Sequence, residues 1–215
     1  MKQLKLQSGQ HGVWFHLLDV VFNIVVIIAI VAGIRTFLVS PFQVEGSSMV
    51  STLEDNEYII INKLTYLVSN PSRGDIVVFR PPSDPKKYYV KRVIGLPGDE
   101  VILRGGNVYL RKTGEKQETK LSEGYLDERN RGKTFRHPPG SGDAGEARFL
   151  VPDDHYFLLG DNRQGSLDSR SFMVSGSEPQ PYVAEDQIKG RVWFVALPIT
   201  KIHAFPPPEY NLPSE

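Results

Sequence analysis

The sequence predicts a mainly β protein, with one N-terminal transmembrane helix followed by a β-rich domain that carries an inserted polar excursion. Three observations lead there. Leu17–Val39 is a long apolar stretch, short runs rich in Val, Ile, Tyr and Phe recur after it, and 16 prolines and 19 glycines punctuate those runs. At 215 residues the chain has room for one good-sized domain and an anchor.

Residues 1–16 read as a short tail and 17–39 as the anchor. As a helix the stretch LLDVVFNIVVIIAIVAGIRTFLV measures ~35 Å, enough to cross a hydrocarbon core of ~30 Å. Its only charges, Asp19 and Arg35, lie near its ends, and Arg35 is placed to snorkel towards head groups. A buried core helix and a cleaved secretory signal are the competing readings. Against cleavage, no small-x-small site follows the apolar run, and Pro41 succeeds Ser40. Lys2 and Lys5 precede the anchor and the next lysine is Lys63, so the basic-inside bias puts the N-terminus in the cytoplasm and the rest outside.

Beyond the anchor, residues 40–110 form the first part of the β-rich domain, with strand-like runs at Tyr58–Ile61, Ile76–Phe79, Tyr88–Ile94, Glu100–Leu103 and Asn107–Leu110. Gly105-Gly106 between the last two predicts a hairpin turn. Residues 111–148 are polar, glycine-rich and of mixed charge, and read as an inserted, partly flexible segment. The domain resumes over 149–200, with runs at His155–Leu159 and Val192–Leu197. Residues 201–215 read as a solvated proline-rich tail.

Lys+Arg and Asp+Glu are both 25, so there is no clustered basic excess of the kind nucleic-acid binders show. Cysteine is absent, which excludes thiol catalysis, disulfides and cysteine-ligated zinc. What remains is a serine and a lysine. Gly46-Ser47-Ser48 is a tight segment able to expose a hydroxyl and offer backbone N–H groups to an oxyanion, although the same string is ordinary in loops. Lys91 lies in a strand-like run after Tyr88-Tyr89, so period-2 alternation can turn it inward. Burial would lower an amine that otherwise titrates near 10.4, making it a usable base. The competing reading is a solvated strand lysine. Gly160-Asp161-Asn162-Arg163-Gln164-Gly165-Ser166-Leu167-Asp168-Ser169-Arg170 reads as a polar turn held by ion pairs, or as a surface loop.

Together these strings resemble the type I signal peptidase (leader peptidase) family. The pattern comprises the anchor, PFxVxGxSMxxTL at Pro41–Leu53, RGDIVVF at Arg73–Phe79, KRVIGLPGD at Lys91–Asp99 and GDNRxxSxDSR at Gly160–Arg170. The resemblance implies a membrane-bound Ser/Lys serine endopeptidase that removes signal peptides after small residues of the Ala-x-Ala type, without metal or organic cofactor. It implies Ser48 as nucleophile and Lys91 as general base, with Ser166 orienting the lysine. Gly46, Met49, Arg92, Asp161, Arg163, Asp168 and Arg170 are implied as supporting residues. Its implied partners are signal-peptide-bearing precursors, the lipid bilayer and a nearby secretion translocon, with no nucleic acid. Its implied location is the plasma membrane, single-pass, with the catalytic domain extracytoplasmic.

The sequence departs from that pattern at Ser51, in place of a usual proline, and at Gly165, in place of a common asparagine. Gly46 stands where some members carry a serine that assists the oxyanion hole, and the Met173–Tyr182 link is long. Rival readings are a histidine triad, for which His155 is the serious candidate among the five histidines, a self-cleaving repressor-type Ser/Lys protease, and a membrane-tethered non-enzymatic β-domain that binds envelope partners.

Overall fold

The computed structural model describes residues 10–136, 145–172, 180–206 and 208–212. His137, Lys2, Lys5 and most of the Met173–Tyr182 link lie outside them. The chain divides into two compact units, Met1–Val39 and Ser40–Glu215.

The first unit is α1 (Gln10–Gly33), continued by a π-helical turn at Ile34–Leu38. Among the described residues helix is thus already present at Gln10, ahead of Leu17. Gly12–Gly33, 22 residues long, is long and apolar enough to cross a membrane. Its polar Asn23 is satisfied within the helix, donating to the Asp19 carbonyl at 2.8 Å. Helix ends before Pro41, whose ring keeps Ser40 out of the α conformation, and β1 (Val39–Gln43) takes over.

The second unit is built from two antiparallel sheets. The larger uses β1, β2 (Tyr58–Asn62), β3 (Ile76–Phe79), β4 (Tyr89–Gly95), β9 (His155–Leu159), β10 (Val183–Ala184), β11 (Ile188–Leu197) and β12 (His203–Ala204). Its order is β1-β2-β11-β3-β4-β9-β10, with β12 also on β11. Pro41 costs no ladder bond in the sheet interior because β1 is an edge strand. The smaller sheet uses β5 (Glu100–Arg104), β6 (Asn107–Arg111), β7 (Thr119–Lys120) and β8 (Ala147–Leu150), in the order β7-β6-β5-β8. β5 and β6 meet in the expected hairpin: Arg104 pairs with Asn107, and Gly105 and Gly106 both have positive φ, 57° and 76°, as a two-residue type I′ turn requires. A short helix, α2 (Thr65–Val68), follows β2.

β3 explains why IVVF carries no polar alternation. Ile76 and Val78 face a core with Val44, Met49, Leu53, Ile59 and Ile61, whereas Val77 and Phe79 face another with Val93, Tyr156 and Leu158. A strand covered on both sides is apolar throughout. A third core joins the sheets, packing Ile94, Phe157 and Leu159 against Val101, Leu103, Val108 and Leu110.

Residues 112–136 differ from the expected polar excursion. β7 pairs with β6, Leu121 and Leu126 are buried, and so are the polar Asn130 and Thr134. The tail differs as well: Tyr210 and Leu212 pack on the core between the sheets. Both segments are poor in apolar residues, but these four apolar side chains are turned inward.

Candidate active site

The Ser48 loop hangs from two apolar anchors. Met49 and Leu53 are 1% and 0% exposed, and burial of such side chains is worth about 1.5–3 kcal/mol each. Between them the chain turns tightly, the N–H groups of Thr52 and Leu53 both reaching the Met49 carbonyl at 2.8 Å. Upstream, Gly46 N–H donates to Asp55 Oδ1 at 2.8 Å.

Lys91 sits in β4, opposite Val77 of β3. It is 3% exposed, and its Nζ lies 5.4 Å from the centroid of Tyr89, two residues back on the same strand face. Nζ is 2.6 Å from Ser48 Oγ and donates to the Val90 carbonyl at 2.8 Å. Burial pushes the amine down from 10.5 to about 8, opposed by the charges of Asp168 and Asp161 and aided by Arg170. Burial prevails because each carboxylate is already matched by a guanidinium. Arg92 holds Asp161 through Nε at 2.9 Å and Nη2 at 2.7 Å, and Arg170 holds Asp168 through Nε and Nη2, both at 2.8 Å. At pH 7 a lysine near 8 is neutral about a tenth of the time, against roughly one part in three thousand for an exposed one.

The Gly160–Arg170 loop ties the serine and lysine segments together. Asp161 Oδ2 accepts from Thr52 Oγ1 at 2.5 Å, and Asn162 donates through its N–H to Ser48 O and through Nδ2 to Ser47 O, both at 3.0 Å. Gly160 is required by contact: a methyl there would strike the Ser166 hydroxyl and come within 2.5 Å of Ser166 Cβ and the Ser48 carbonyl. Although burial favours its neutral form, Asp168 is held below the usual carboxylate range by Arg170 and the Gly160 N–H.

A cleft of about 590 Å³ opens onto Ser48 and Lys91. Phe42, Ile59, Val78, Tyr88 and Val90 give it apolar walls, while Glu45 and Lys87 also line it. Phe42 and Tyr88 meet edge to face with centroids 5.2 Å apart. Among the described residues the Ser48 N–H makes no hydrogen bond, so it is free for a ligand.

The profile described as "Signal peptidase, peptidase S26" matches residues 17–197. The chain belongs to the signal peptidase family. As a member of that family it is a serine peptidase, which sets aside the non-enzymatic reading. It is 35% identical to signal peptidase I of Bacillus amyloliquefaciens over 185 residues, 86% of this chain and 90% of that one. It is also 35% identical to signal peptidase I T of Bacillus subtilis strain 168, over 83% of this chain and 84% of that one. The match to signal peptidase I of Pseudomonas fluorescens, again 35% identical, takes in 67% of this chain but only 59% of the relative. A crystal structure of a signal peptidase I from Enterococcus faecalis V583 aligns at 28% identity with a TM-score of 0.42, covering 58% of this chain and 97% of that one.

Of the residues that the resemblance singled out from sequence, Ser48 with Lys91, Arg92 with Asp161, and Asp168 with Arg170 form three hydrogen-bonded pairs. Met49 is in the core, and Gly46 lines the cleft. Ser166 packs against Gly160 with its hydroxyl buried, yet that hydroxyl has no well-formed hydrogen bond among the described residues. The hydrogen bonds of Lys91 go to Ser48 and Val90 rather than to Ser166. The Arg163 guanidinium is held by Glu123 at 2.5 Å and Thr134 at 2.6 Å. His155 is satisfied at the entry to β9, its Nδ1 2.8 Å from the Asp153 carbonyl. Sequence reasoning missed Thr52, Asn162, Glu123 and Tyr125. The first two stood inside recognisable motifs; the last two lay in a segment with no pattern to mark them.

Proposed function

We propose that this chain is a membrane-bound endopeptidase that removes N-terminal signal peptides from exported precursors, cutting after small residues of the Ala-x-Ala type. The observation that carries the reading is the contact of a buried, easily deprotonated Lys91 amine with the Ser48 hydroxyl at the floor of a cleft.

An extended precursor segment enters the cleft and is held by backbone hydrogen bonds, as strands are in β-augmentation. Neutral Lys91 takes the Ser48 proton as Oγ attacks the scissile carbonyl, forming the tetrahedral oxyanion. The Ser48 N–H stabilises that oxyanion, a larger share of the work than usual because Gly46 brings no hydroxyl. The Lys91 ammonium then protonates the departing amine, and the C–N bond breaks to leave an acyl-enzyme on Ser48. A water deprotonated by the same amine releases the acid product. Asp161, Asp168, Arg92 and Arg170 hold this pair in place rather than react, and Ser166 packs behind Gly160.

The anchor is read as spanning the plasma membrane once, N-terminus inside, with the active site facing outward beside the translocon that delivers precursors. In a test with an Ala-x-Ala precursor peptide, the parent chain is expected to cleave it, with kcat/KM rising along an acid limb near pH 8, while Ser48→Ala and Lys91→Ala do not. Full cleavage by either variant refutes the dyad. Loss in Ser47→Ala with retention in Ser48→Ala moves the nucleophile by one residue.

A further inference from the structure

The C-terminal segment runs directly behind the Arg92–Asp161 pair. Phe205 packs on the core that holds Met49 and Leu53, and Leu212 on the core between the sheets. Asn211 pins the segment down, its Oδ1 accepting the Ser122 N–H and its Nδ2 donating to the Lys120 carbonyl, both at 2.8 Å. Pro208 lies on Gly74 so closely that a methyl there would come within 2.6 Å of the proline Cδ. The Gly74 carbonyl in turn accepts from Arg92 Nη1 at 2.9 Å. Tyr210 meets Tyr125 edge to face at 6.3 Å, and Tyr125 also carries the Arg92 guanidinium, 3.9 Å from its ring centroid. Two strap residues thus bear on the two groups that flank Arg92.

We propose that this strap, made of residues 205–206 and 208–212, is a positioning element of the active site. By covering Gly74 and Tyr125 it keeps Arg92 dry and paired with Asp161, and Asp161, through Thr52, keeps the Ser48 loop in register with Lys91. The inference rests on the Ser48/Lys91 reading above and extends it to a segment outside the matched family region, which ends at residue 197.

The charges involved can be named. Lys91 is faced by Asp161, Asp168 and Arg170; Arg92 by Asp161, Tyr125 and Tyr210; Arg163 by Glu123, Tyr125 and Asp161. Glu209 edges a space of about 400 Å³ beside Arg92. Loosening the strap admits water around Arg92. Asp161 is then less fully neutralised and Lys91 less fully dehydrated, and both changes favour the charged amine. The Tyr210 hydroxyl lies near that of Tyr125 but makes no hydrogen bond of good geometry among the described residues. The ring, rather than the hydroxyl, is therefore the working part.

The test uses the full chain in detergent micelles, comparing the parent with Tyr210→Ala, Tyr210→Phe and a chain ending at Phe205. Lys91 is titrated by NMR with lysine labelled at Cε with ¹³C, its signal assigned through Lys91→Arg, and kcat/KM for an Ala-x-Ala peptide is measured across pH. Tyr210→Ala and the shortened chain are expected to titrate about one pH unit higher. They should lose ~10-fold in kcat/KM at pH 7 and recover in alkali. Tyr210→Phe should match the parent. A folded Tyr210→Ala chain whose Lys91 titration and pH profile are unchanged, with only its melting temperature lowered, overturns the proposal. If the shortened chain does not fold, Tyr210→Ala alone decides. If the parent cleaves nothing, the peptidase reading fails, while the Lys91 titration still decides the strap.

Discussion

Replacing Lys91 with methionine should stabilise the fold at neutral pH even as it ends turnover. The folded amine titrates at about 8 against an ordinary 10.5. Below pH 8 both folded and unfolded chains carry the proton, and the folded chain bears the whole cost of burying it. As pH rises from 8 to 10.5 the folded amine sheds its proton before the unfolded one does, so the cost fades and stability increases. At 1.36 kcal/mol per pH unit the cost comes to about 3 kcal/mol. Methionine fills a similar volume without charge, but it abandons the two hydrogen bonds to Ser48 Oγ and Val90 O, a loss of about 2 kcal/mol. The net expectation is a gain of about 1 kcal/mol at pH 7 that turns into a loss of about 2 kcal/mol near pH 11. Urea unfolding of the micelle-embedded chain at a series of pH values, followed by circular dichroism, reads this directly. Equal stability of parent and variant at pH 7, or a gain that stays constant with pH, would show that Lys91 is not held as a costly buried amine.

Two further substitutions probe the frame around the pair. Glu123→Gln removes the charge partner of Arg163, which is 2% exposed, and should cost about 3–5 kcal/mol in urea unfolding; a cost below ~1 kcal/mol would mean the 112–136 segment is not part of the folded unit. Gly160→Ala forces a methyl against Ser166 and the Ser48 carbonyl, so labelling of Ser48 by a serine-directed acylating probe should slow ~10-fold or more while the circular dichroism spectrum is kept. Unchanged labelling would show that the contact does not set the position of Ser48.

Most of the β framework was legible because its strands obey simple rules. Ile76–Phe79 and His155–Leu159 were read to the residue, since each is an apolar run bounded by turn residues. Among the strands that escaped, β7, β10 and β12 are two residues long and defined by their partners rather than by any pattern of their own, and β1 was hidden by its start inside the stretch read as the anchor. β8 escaped because only Ala147 of its four residues is buried. The proline-rich tail misled for a related reason: FPPPEYNLPSE is polar on average, yet Tyr210 and Leu212 are what the fold uses. At the site, Ser48 and Lys91 could be named from motifs, but their 2.6 Å contact joins a loop and a strand with no local relation. The Glu123–Arg163 pair gave no hint at all, since a glutamate in a charged segment looks solvated until its partner is found.

The tie between Thr52 and Asp161 joins residues 109 positions apart. A growing chain that has reached residue 110 already holds both the hydroxyl and the amine, but not the loop that frames them. Closing so long a connection costs more chain entropy than closing a local one. The Ser48 segment thus gains its braces from Asp161 and Asn162 only after those residues have been made.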